Sequence, residues 1–119
     1  MNCLDTYALV EIREGSLAYA GIFDKEFIIT DCTLAEFYWV NVRDFGVEYA
    51  KEWHEKLSAH GTSVSQEVLI AAMQYRYDHK KEDLSFFDCV GYLFAQEEQF
   101  TFVTGDRQFK HKKGVLFIQ

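Results

Sequence analysis

The sequence predicts an α/β domain built around a parallel sheet. Three observations carry that expectation. Stretches with helical apolar spacing alternate with short runs of aromatic and β-branched residues. The clearest such run, Phe100-Thr101-Phe102-Val103-Thr104, reads as a buried strand. No linker, repeat or low-complexity segment interrupts the 119 residues, so residues 1–119 are read as one domain.

The elements follow in order. Residues 1–4 form a short apolar opening, read as a strand that stops at Asp5. Thr6 to about Glu14 has a helical pattern through Leu9, Val10 and Ile12, halted by Gly15. A turn-rich stretch reaches Gly21, and Ile22 to Ile29 is mixed. From Thr30 the period is helical, with Leu34, Phe37, Tyr38, Val42 and Phe45 in step until Gly46. A second helix spans Val47 to about Ala59. Thr62 to Ser65 is a short strand, and Glu67 to His79 is another helix. The polar break His79-Lys80-Lys81-Glu82-Asp83 precedes a helix over Ser85 to Gln99. After the Phe100–Thr104 strand comes a turn at Gly105-Asp106, and Val115 to Ile118 is a last strand.

Composition narrows the function. Twelve Lys plus Arg stand against 19 Asp plus Glu, a formal net charge of −7. That excludes a general binder of phosphate backbones, which needs a dense basic surface. It does not exclude a nuclease, because carboxylates that hold divalent cations count as excess charge until the metal is included. Cys3, Cys32 and Cys89 are odd in number and lack a Cys-x-x-Cys pair, so neither a disulfide framework nor a structural zinc site is expected. The first residues carry no basic, apolar leader, and no run approaches a membrane span, so a cytoplasmic protein is expected.

In a parallel sheet, ligands collect beyond the carboxyl ends of the strands. Asp5 and Asp106 both follow strands, and so fall at one edge. Two further acids sit in Ser/Thr-x-x-acid patterns at helix starts. These are Glu36 in Thr33-Leu34-Ala35-Glu36, with Thr33 as the cap, and Asp88 in Ser85-Phe86-Phe87-Asp88. Taken alone, each acid reads as a cap or turn fastener. Taken together, they place four carboxylates at one edge. Within about 4 Å, each pair would repel by ~1 kcal/mol in water and about 4 kcal/mol at an effective dielectric of 20. Protons or divalent cations relieve such a cluster, and Mg²⁺ or Mn²⁺ suits an all-oxygen donor set.

The pieces Leu4-Asp5-Thr6, Thr33-Leu34-Ala35-Glu36, Leu84-Ser85-Phe86-Phe87-Asp88 and Phe102-Val103-Thr104-Gly105-Asp106-Arg107-Gln108-Phe109 span nearly the whole chain. In order and spacing this resembles the PIN-domain family, and within it the small VapC-type toxin ribonucleases. The resemblance implies a three-layer α/β/α sandwich around a central parallel sheet of about four to five strands. It implies a Mg²⁺- or Mn²⁺-dependent endoribonuclease that cleaves RNA phosphodiesters through metal-activated water, acting as the toxin of a toxin–antitoxin pair. By motif, Asp5, Glu36, Asp88 and Asp106 would be the catalytic metal ligands, oriented by the hydroxyls of Thr6, Ser85 and Thr104. Asp31 lies near enough to compete with Glu36. A cognate antitoxin and a homodimer are the implied partners, beside the RNA itself, with no membrane involved. One departure concerns Tyr7, which stands where the family has Asn or another small polar residue.

Cations flank these motifs. Arg43 is two helical turns after Glu36, and Lys110, Lys112 and Lys113 follow Asp106; all are candidate RNA contacts, although Arg43 pairing with a neighbouring acid and the lysines forming a solvated loop are the plainer alternatives. His54, His60, His79 and His111 lack metal-ligand spacing and read as surface residues, and Cys89 reads as a small buried apolar residue. Phe37, Tyr38, Trp39, Tyr49 and Trp53 crowd two consecutive helices, as core or as a partner-binding face. Two other readings compete with the nuclease. One is a catalytically inactive PIN-like module that binds RNA or protein. The other is a phospho-receiver domain, against which the lone Asp5 speaks.

Overall fold

A computed structural model describes residues 1–119. Strand β1 (Asn2–Leu4) leads into α1 (Thr6–Arg13). A 3₁₀ turn (Leu17–Tyr19), α2 (Ala20–Phe23) and β2 (Phe27–Thr30) follow. Helices α3 (Asp31–Phe45) and α4 (Val47–Leu57) meet at Gly46, whose φ of 91° suits glycine. Strand β3 (Gly61–Thr62), α5 (Gln66–Asp78), α6 (Phe86–Glu98), β4 (Thr101–Thr104) and β5 (Val115–Phe117) complete the chain.

The five strands run parallel in the order β3-β2-β1-β4-β5. Strand β1 is central, with Cys3 opposite Ile28 on one side and Phe102 on the other. Chain progression runs outward from β1 in both directions, so the strand order reverses there. Such a switch point opens a crevice beyond the strand ends.

Side-chain alternation builds the layers. Cys3 and Phe102 pack with Val68, Ala72, Cys89 and Val90 of α5 and α6. Their neighbours Leu4 and Val103 pack with Leu9, Leu34 and Phe37 of α1 and α3. Two apolar clusters on opposite faces of one sheet make the three-layer α/β/α sandwich that the motifs imply. No helix is long and apolar enough to cross a membrane.

Several expectations are corrected in detail. The cap of α3 is Thr30, not Thr33: Thr30 is in extended backbone and its Oγ1 accepts from the Thr33 N–H at 3.1 Å. The reason is that β2 abuts the helix without a loop, so the last strand residue must serve as cap. The stretch read as turns holds a 3₁₀ turn and a short helix. Strand β3 is Gly61–Thr62, while Ser65 caps α5 through the Val68 N–H. His60 and His79 are half-buried rather than surface residues, because their rings stack on Phe27 and Tyr75 at 4.1 and 3.9 Å.

Candidate active site

At the switch point lies an open notch of about 600 Å³. Asp5, Glu36, Asp88 and Asp106 all line it, with Thr6 and Ser85 between them. Asp31 does not; it is exposed and faces a separate hollow with Tyr38 and His54. Four different segments therefore deliver the four acids, and local structure explains each.

Asp5 follows β1 and caps α1, its Oδ1 accepting from the Ala8 N–H at 2.9 Å. It is only 2% exposed. Its other oxygen accepts from Thr104 Oγ1 at 2.5 Å, and Thr104 Oγ1 accepts in turn from the Asp106 N–H at 3.0 Å. One hydroxyl thus ties the ends of β1 and β4 together. Asp106 caps the following 3₁₀ turn (Arg107–Phe109) through the Gln108 N–H. Asp88 sits in the first turn of α6, capped by Ser85 through the Asp88 N–H at 3.1 Å. Glu36 is free of any capping duty, and accepts instead from the Thr6 hydroxyl across from α1.

Burial dominates the electrostatics. It pushes the Asp5 carboxyl up to about 8, against the hydrogen bonds from Thr104 and Ala8 that pull it down, and the charges of Asp88 and Asp106 add to the rise. Burial likewise pushes Asp88 up to about 6, opposed by Ser85 and reinforced by Glu36 and Asp106. Each buried acid therefore feels two of the others. As the side chains stand, no three ligating groups close on a single point. The notch is set in charge and open in geometry. Its donor set is all oxygen, and no cation is paired with any of the four acids. That chemistry fits a hard divalent ion.

The cations divide. Arg43 lines the notch while bonding Asp44, at 2.9 Å from Nε. Arg107, which sequence reasoning did not single out, lines it without an ion pair. The structure does not bring Lys110, Lys112 or Lys113 to the notch. Lys112 pairs with Glu82 at 2.8 Å and lies over the Tyr75 ring, and Lys110 lies over Phe117. The aromatic group is also split: Phe37 is buried, whereas Trp39 is 60% exposed at the notch. Tyr7 packs so tightly on Gly105 that a Cβ there would meet the ring at 2.1 Å and the Ile118 carbonyl at 2.5 Å. The glycine makes room for the ring.

The PIN domain family model matches residues 3–115. No curated protein matches the chain in sequence. Among solved structures, VapC20 of Mycobacterium tuberculosis, described as a sarcin–ricin loop cleaving toxin, superposes with a TM-score of 0.81 at 15% identity, covering 97% of each chain. A chain of a toxin–antitoxin complex from Klebsiella pneumoniae gives 0.79 at 18% identity, over 98% of this chain and 96% of that one. DNA-bound VapBC from Salmonella typhimurium gives 0.76 at 17% identity, over 98% and 96%. At these identities the likeness is one of fold, and the family follows from the match along almost the entire sequence: this chain belongs to the PIN domain family.

Proposed function

We propose that this protein is a Mg²⁺- or Mn²⁺-dependent endoribonuclease, the toxin of a toxin–antitoxin pair. The observation that carries the reading is the gathering of Asp5, Glu36, Asp88 and Asp106 in one notch at the switch point. Family membership supports nuclease chemistry, and the toxin–antitoxin complexes among the similar folds support an antitoxin partner.

The four carboxylates would hold the cation. When bound, it supplies Lewis acidity, polarising phosphoryl oxygen and lowering the pKa of water. The chain's own residues do the rest. Thr104 and the Ala8 N–H hold Asp5 in one rotamer, and Thr6 holds Glu36. Ser85 fixes the helix start that carries Asp88. Arg43 and Arg107 offer guanidinium groups to phosphate at the same notch, which makes them better placed for RNA than the three lysines. A homodimer is part of the proposal, checked by sedimentation.

The test is RNA cleavage in Mg²⁺. Cleavage should vanish with EDTA and in Asp5→Asn or Asp88→Asn. Undiminished cleavage in both variants defeats the assignment. The open spacing of the carboxylates and the ring of Tyr7 favour a second reading, a PIN module that binds RNA or protein without cutting. Melting in millimolar Mg²⁺ or Mn²⁺ separates the two, since a working cation site gains about 2.7 kcal/mol at 100 times its dissociation constant. No shift supports the binding module.

A further inference from the structure

We infer that Trp39 is a base-stacking platform that positions one unpaired nucleotide of the RNA beside the carboxylates, with Arg43 serving the adjacent phosphate. This rests on the ribonuclease reading of the same notch.

Helix α3 has two faces. Leu34, Phe37 and Asn41 point into the protein and are buried. Glu36, Trp39, Val40 and Arg43 line the notch, at positions i, i+3, i+4 and i+7. One helical face thus carries an acid, an indole and a guanidinium in ascending turns, over about 10 Å of axis. The indole is 60% exposed. A tryptophan left open to water forgoes one of the largest burials available to a side chain. Nothing in the fold needs it there, because Phe37 and Trp53 already seal the contact between α3 and α4, edge to face at 6.1 Å.

Arg43 makes the pairing specific. Its guanidinium carbon lies 5.0 Å from the centre of the Trp39 ring. Asp44 takes Nε and Nη2, which leaves Nη1 with its hydrogens unengaged. An exposed indole with a guanidinium lying over it, one amino group of which is unengaged, supplies the two contacts that single-stranded nucleic acid uses: a π-face for the base and a cation for the phosphate. The notch below repels phosphate through its acids, so a non-ionic contact to the base gives the strand a hold that charge does not supply. Because every base has a π-face, the platform is tolerant of sequence.

Trp39 and Trp53 are the only tryptophans, which gives a direct readout. In a Trp53→Phe chain, rapid mixing with a single-stranded RNA oligonucleotide and Mg²⁺ should quench the remaining emission during binding. Trp39→Ala should raise KM for that RNA roughly 5- to 150-fold, the value of one stacked base, with kcat changed less than twofold. Trp39→Phe should restore most of the affinity. Circular dichroism should stay unchanged, since the side chain is exposed. Cleavage with no quench and an unaltered KM in Trp39→Ala overturns the platform and leaves the nuclease standing. Quenching without cleavage supports the platform while the nuclease reading fails. Loss of a protein partner in Trp39→Ala, with RNA kinetics unmoved, also overturns it.

Discussion

Asp5→Asn should make the protein more stable while removing its function. The carboxyl is pushed up to about 8 from an ordinary value of 3.8, first of all by burial. A raised carboxyl binds more protons in the folded than in the unfolded chain between those values. Stability is therefore complete below about pH 4 and falls as pH rises towards 8. From 3.8 to neutral lie about three pH units, each worth ~1.4 kcal/mol, so the ionisable group costs the fold about 4 kcal/mol at pH 7. Asparagine carries no such cost. It keeps an oxygen for the Ala8 N–H, but its amide turns the Thr104 hydroxyl round, a penalty of about 1 kcal/mol. The net gain is about 3 kcal/mol, or roughly 10 °C in Tm for a domain of this size. The assay is thermal melting in EDTA from pH 4 to 9, wild type against Asp5→Asn. By the same reckoning the variant should be about 1 kcal/mol less stable than wild type at pH 4 and overtake it as pH rises, with the difference levelling off above 8. With Mg²⁺ or Mn²⁺ added, wild type should recover and the variant should not move. A variant less stable than wild type at pH 7, or a pH-independent difference, would refute the burial argument.

Three further outcomes follow from neighbouring contacts. Thr104→Val leaves the Asp106 N–H and one Asp5 oxygen without their shared partner; it should cost about 1–3 kcal/mol in chemical denaturation and about 10- to 100-fold in cleavage rate. Glu36→Gln should abolish cleavage with helix content intact, whereas Thr30→Ala should lower stability by about 1 kcal/mol and spare the chemistry, because the cap is Thr30. Gly105→Ala drives a Cβ into the Tyr7 ring and the Ile118 carbonyl, and melting should show a loss of about 1–3 kcal/mol.

Much of this molecule is legible in its sequence, and the limits are physical. Apolar periodicity marks α3, α5 and α6 within a residue or two, because α3 and α5 each bury one stripe and α6 is apolar and buried along most of its length. The rule that ligands gather at strand ends places Asp5 and Asp106 together, as they are. The start of α3 is misread because the strand before it ends where the helix begins, so two threonines compete for one cap and only backbone angles choose between them. That choice frees Glu36 and leaves Asp31 outside. The lysines after Asp106 look like phosphate contacts by proximity in sequence, yet the turn carries them away to Glu82 and Phe117. Trp39 hides among aromatic neighbours, since composition does not say which face of a helix is covered.

The bond from Thr104 to Asp5 joins residues 99 positions apart. Between them lies nearly every other element of the fold. A polypeptide still being made on the ribosome holds Asp5 early, but its tether and Asp106 arrive only after about a hundred more residues. Products of interrupted translation that stop before β4 hold three of the four acids but lack Asp106 and the Thr104 tether of Asp5. On the proposed ribonuclease reading, the four-acid notch would therefore be incomplete until synthesis has passed Asp106.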